Sequence, residues 1–155
     1  MKQTEITLNE TVPAFGYELL RNVLIPELLG NEQATILYWA GKNLARKYPL
    51  DTLDDIIDFF AYAGWGNLIA GKEEKNSMTF TLTADLISER LDQDKQTPFT
   101  LEAGFLAQQI ETMKNRFADA KSSLKRGKII SITVIWDQKD PVVEESLSRS
   151  GKSRR

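Results

Sequence analysis

The chain of 155 residues has no cysteine and no histidine. The first absence rules out disulfides and thiolate chemistry, and the second removes the commonest general base and the commonest metal ligand. No nucleophile, base or metal set stands out among the residues that remain, so no catalytic residue, metal ligand or cofactor is expected. Long apolar runs are missing too. None approaches the roughly 18 residues of a membrane span, and the polar start MKQTEITLNE is no signal peptide, so a cytoplasmic protein is expected. Formal charge is −2, yet Arg149, Lys152, Arg154 and Arg155 crowd the last ten residues without an acid. The rest carries 16 Lys and Arg against 22 Asp and Glu, a net −6, which argues against a nucleic-acid partner.

What is present is a well-patterned single domain, with 41% hydrophobic residues. Its clearest element runs from Phe99 to Phe117. Leu101, Phe105, Leu106, Ile110, Met113 and Phe117 recur there at steps of three and four, the period of one helical stripe. Thr97 ahead of Pro98, or Thr100, supplies its start. Gly104 lies on the stripe, where glycine costs about 1 kcal/mol relative to alanine, so something approaches the backbone closely. Upstream, Tyr17, Leu20, Val23 and Leu24 predict an amphipathic helix from Pro13, broken or kinked by Pro26 before a turn to Gly30. Asn31 caps a second helix from Glu32 to about Tyr48, with Ile36, Leu37, Ala40, Gly41 and Leu44 on its stripe. Thr52 caps a third, with Asp54 and Asp55 in the first turn, Leu53, Ile56, Ile57 and Phe60 inward, and Gly64 as its left-handed stop.

From Trp65 the period changes to two. Trp65 to Lys72 and Met78 to Thr83 read as a hairpin around Glu73 to Asn76. Ala84 to Leu91 fits both strand and helix templates and is read as strand. After the long helix, Ala118 to Leu124 and the Ile130, Ile132, Val134, Trp136 alternation form a second hairpin around Lys125 to Lys128. The expected class is α+β: three N-terminal helices, hairpin, long helix, hairpin, with helices on one face of a four- or five-stranded antiparallel sheet. Residues 1–12 are expected to be an arm, 13–137 the domain and 138–155 a flexible basic tail.

Particular words in the chain carry a resemblance. LYWAGKNLA at Leu37 to Ala45, AGWG at Ala63 to Gly66, FTLEAGFLAQQ at Phe99 to Gln109 and ITVIWD at Ile132 to Asp137 resemble the YslB-like proteins of Bacillota, a family without an established activity. The match spans about Pro13 to Asp137. That family resembles in turn the fold of TRAPP transport subunits, 4-vinyl reductase domains and haem-dependent nitric oxide sensors. The resemblance implies a ligand-binding fold in which Gly41 and Gly104 hold the helix glycine positions. It departs from the sensors in having no haem-ligating histidine, and from many 4-vinyl reductase domains in having no cysteine.

Several residues carry competing readings. Asp51, Asp54, Asp55 and Asp58 could hold a hard cation but read better as a solvated helix edge. Glu102 is either a buried carboxylate acting on a ligand or a group that fixes the helix start. Ser150 to Ser153 spells the end of a phosphate loop without the rest of the motif. Lys121, Lys125, Arg126 and Lys128, with the tail, could touch anionic lipid or RNA but read better as a charged hairpin turn that discourages edge pairing. The leading functional expectation is a non-catalytic binding domain. Its pocket would take a small lipid-like or other hydrophobic molecule at Leu37, Gly41, Phe60, Gly104, Phe105 and Trp136. The alternative is an adaptor or assembly protein without a ligand. A homodimer through the first two helices is expected, with Tyr38 and Trp39 as interface anchors.

Overall fold

The computed structural model describes residues 11–138. Most of the expected arm, all of the expected tail after Gln138, and the SGKS stretch lie outside the described residues. The elements are α1 (Ala14–Glu18), a wide π turn (Leu19–Leu24), α2 (Ile25–Leu29), a 3-10 turn (Gly30–Glu32), α3 (Gln33–Lys47) and α4 (Leu53–Tyr62). Then follow β1 (Asn67–Glu73), β2 (Ser77–Thr83), α5 (Asp85–Gln93), α6 (Thr100–Lys114), β3 (Ala118–Lys125) and β4 (Ile129–Trp136). The α+β class and the two hairpins separated by the long helix are as the periodicities require, with α5 as an additional helix between the hairpins.

One antiparallel sheet of four strands has the order β1-β2-β4-β3, so the two hairpins join through β2 and β4. The period of two decides its faces. Met78, Phe80 and Leu82 of β2 and Ile130, Ile132, Val134 and Trp136 of β4 point into the core, while Thr79 and Thr133 share a hydroxyl hydrogen bond of 3.0 Å on the opposite face. Thr52 caps α4 by accepting from the Asp55 N–H at 3.1 Å, and Gly64 beyond the helix end has φ 76°, where glycine is at ease. The turn of the second hairpin uses the same freedom at Gly127, φ 73°. Gln109, buried in α6, locks the link from α3 to α4: its Nε2 donates to Tyr48 O at 2.8 Å and its Oε1 accepts from Leu50 N–H at 3.1 Å.

Three expectations are corrected. Residues 84–91 are not a strand; Asp85–Gln93 is α5, with Ile87, Arg90 and Leu91 on its buried side at helical spacing. Pro26 does not break the first helix. The wide turn ahead of it sends the Ile25 N–H back five residues to Leu20 O, and Pro26 enters the first turn of α2, where a missing N–H costs no bond. The third correction concerns which side of this segment faces the body. Of the expected inward stripe only Tyr17 turns toward the core, whereas Leu20, Val23 and Leu24 are exposed and Arg21 is buried in their stead.

Candidate functional site

The two glycines singled out in the sequence meet across the interface between α3 and α6. A side-chain carbon built on Gly41 would lie 2.1 Å from Leu101 O and 2.8 Å from Phe105 N; one on Gly104 would lie 2.0 Å from Tyr38 O. Each glycine therefore receives the backbone of the other helix, and the space left by the two missing side chains is closed by main chain. This corrects the expectation that the same space is kept for a ligand. Beside the crossing, Phe105 stacks on Phe59 with ring centroids 4.7 Å apart and meets Trp65 edge-on at 5.2 Å, while Phe60 meets Trp65 edge-on at 5.0 Å. Of the six expected pocket residues, Phe60, Phe105 and Trp136 thus belong to a packed core, Gly41 and Gly104 form the crossing, and Leu37 is buried apart from the main cluster. Trp136 also borders an open cleft, beside Lys75, Lys114 and Arg116; the Lys114 ammonium sits 4.9 Å over its ring.

Glu102, at the third position of α6, is 1% exposed. Both its oxygens accept from Arg21 Nη2, at 2.7 and 2.9 Å, and the Arg21 Nη1 donates to the Tyr17 hydroxyl at 3.4 Å. Burial disfavours the Arg21 charge, but the attraction and hydrogen bonds of Glu102, helped by Tyr17, outweigh it and hold the guanidinium above its ordinary range. A second arginine, Arg90 of α5, pairs with Glu18 at 2.9 Å and lies over the Phe99 ring. Glu102 does not bond the backbone at the start of its own helix, as one of its two expected roles required; its carboxylate pairs with a distant arginine instead. Arg21 was invisible in sequence because an arginine beside Asn22, between apolar residues of a helical stripe, reads as the polar side of an amphipathic helix.

The outer side of the N-terminal segment is apolar. Leu28 is 70% exposed, Leu20 and Val23 58% each and Trp39 on α3 54%. Phe15, Leu19 and Val23, at steps of four, line a shallow cleft against α5. The two expected anchors are thereby separated. Trp39 is open, whereas the Tyr38 hydroxyl donates to Asp119 Oδ1 at 3.0 Å and accepts from the Ala120 N–H at 3.1 Å. Burial, with the nearby carboxylates, pushes the Tyr38 phenol up to about 12. Lys42 lies between, buried, its ammonium donating to Ala118 O at 3.2 Å and standing 3.5 Å from Asp119. Among the described residues no group of three or more acids is placed to hold a metal ion. No described helix is long and apolar enough to cross a membrane.

The arrangement offers ion pairs, capped edges and apolar surface. A family model described as protein of unknown function (DUF2507) matches residues 14–135, which takes in every element above except the last residue of β4. The chain belongs to the DUF2507 family. Within reach of this family, the uncharacterised protein YslB of Bacillus subtilis (strain 168) is 42% identical over 139 residues, covering 89% of this chain and 91% of its own. In solved structures the DUF2507 fold of this chain is similar to a vinyl-4-reductase family protein from Methanocaldococcus jannaschii, with a TM-score of 0.57, 13% identity and coverage of 84% and 85%. At that identity the similarity extends to the fold alone.

Proposed function

We propose that this protein is a non-catalytic assembly protein that forms a homodimer through the outer face of its N-terminal helices. The observation that carries the reading is the inverted segment from α1 to α2. Its charged side is consumed inside the molecule by Glu102 and Arg90, and its leucines and valine face outward with Trp39 on the neighbouring helix. Exposed apolar side chains gathered on one segment in this way mark a docking site. A second copy offers the same patch, and a two-fold pairing needs only one self-complementary face. Light scattering at tens of micromolar should give twice the 17.6 kDa chain mass; a monomer rejects the reading. Val23→Asp with Leu28→Asp should give a folded monomer whose melting temperature no longer depends on protein concentration, because both side chains are exposed in the single chain and neither supports its core.

A second reading, binding of a small apolar or lipid-like molecule, draws on the fold shared with the vinyl-4-reductase family protein. The place that suits it on this chain is an open cleft of about 420 Å³ where α3 and the start of α6 meet β3, lined by Ala34, Thr35, Tyr38, Thr100 and Ala120. Native mass spectrometry of protein taken from cells separates the two. A bound small mass supports the ligand; a dimer of bare chains supports assembly.

A further inference from the structure

In an antiparallel edge strand every second residue turns its N–H and C=O away from the sheet. On β3 these are the even-numbered residues, and the first of them are answered by side chains. Glu111 Oε1 accepts from the Ala118 N–H at 3.1 Å, Lys42 donates to Ala118 O at 3.2 Å, and the Tyr38 hydroxyl accepts from the Ala120 N–H at 3.1 Å. Beyond Ala120 the capping stops. Ser122 and Leu124 have no such partner among the described residues, and a groove of about 220 Å³ runs beside them, walled by Leu91, Thr97, Pro98, Phe99 and Ile130. Half of this edge is sealed and half is left as a template for another strand.

We propose that Ser122 to Leu124 with this groove is a strand-addition site for an extended acidic peptide of a partner protein. The charges select that occupant. Lys95, Lys121, Lys125 and Arg126 make no ion pair among the described residues, while Lys128 is taken by Asp92. Two copies of this edge paired about Ser123, the register that uses both free residues, would set Lys121 against Lys125 twice, and like charges directly opposite destabilise a ladder. A strand with carboxylates on the face of Lys121 and Lys125 meets cations instead. Its alternate side chains drop over Leu124 and Pro98, where small apolar residues fit, so the recognised pattern is acid, apolar, acid, apolar. This surface is separate from the α1 to α3 face, and its test does not depend on the oligomer.

The probe is an acetylated, amidated Glu-Val-Glu-Val-Glu-Val-Glu peptide added to the full chain, read by residue-resolved NMR of backbone amides. Saturable shifts centred on Ser122 and Leu124 are expected, with exchange of both amides slowed by about tenfold or more. The same peptide with lysine for glutamate should leave them unmoved. Lys121→Glu with Lys125→Glu should reverse the preference between the two peptides. Ser122→Pro, which deletes the outward N–H and leaves the β4 ladder intact, should abolish binding. No shift at millimolar peptide, equal shifts with both peptides, or shifts centred on another surface would overturn the proposal. Should Ser122→Pro fail to fold, the charge reversal decides alone.

Discussion

The α3–α6 crossing and the segment from α1 to α2 are both helical, and they bury opposite things. At the crossing two glycines bring main chain against main chain, and the aromatic rings of Phe59, Phe60, Trp65 and Phe105 fill the ground beside it. Its stability comes from area and fit. In the N-terminal segment the buried group is an arginine, held by a carboxylate from α6, and the apolar side chains remain outside. Position there is set by a few directional bonds, each dependent on its partner. The difference teaches that apolar periodicity marks a stripe along a helix and is silent on whether that stripe turns toward the core of its own chain.

That comparison can be broken from either side. Removing one partner of the buried pair should have the largest effect: Glu102→Ala strands the Arg21 charge and should cost about 3 to 5 kcal/mol in denaturant unfolding, whereas Arg21→Met with Glu102→Leu should restore most of it. Phe105→Ala should also cost about 3 to 5 kcal/mol, and here no second change should rescue, because a cavity rather than a lone charge is left. Gly104→Ala should lose about 3 kcal/mol, at or above the upper end for overpacking, since the clash is with Tyr38 main chain and not with a side chain that can turn aside. Leu20→Gln should change stability by less than about 0.5 kcal/mol while weakening self-association seen by sedimentation.

A further effect is one of pH. Tyr38 holds its proton to about 12 in the folded chain against 10 in the unfolded one. Its contribution to stability is complete below pH 10 and is lost as pH rises toward 12. Tyr38→Phe should make the alkaline limb of the melting-temperature profile shallower in that window; an identical limb would show that the hydroxyl is not held at the β3 edge.

Much of the fold was legible because local signals agreed with the tertiary outcome. Thr52, Gly64 and the alternation of β2 and β4 mean the same thing alone and in the folded chain. Residues 84–91 were not legible, because a short amphipathic piece satisfies two periods and only packing of Ile87 and Leu91 chooses between them. Pro26 misled for a related reason: its cost depends on the width of the turn before it. Gly104 did announce a close approach, and Gly41, which meets the same crossing, did not. What approaches is a property of the partner helix and cannot be read from either stretch by itself. Arg21 gave no signal, since its counter-charge lies 81 residues away.

The wide turn at Leu19–Leu24 has a consequence for the length of the chain itself. It stores one residue more than a regular helix would use over the same rise, so it behaves as a phase slip between α1 and α2. Deleting a single residue there would let the helix run true and rotate everything upstream by about 100°. Glu18 would swing off Arg90 and the whole leading turn would show a different side to its surroundings, with no change in composition. Which side α1 presents is therefore fixed by counting residues, and a one-codon deletion would alter that orientation more thoroughly than most substitutions.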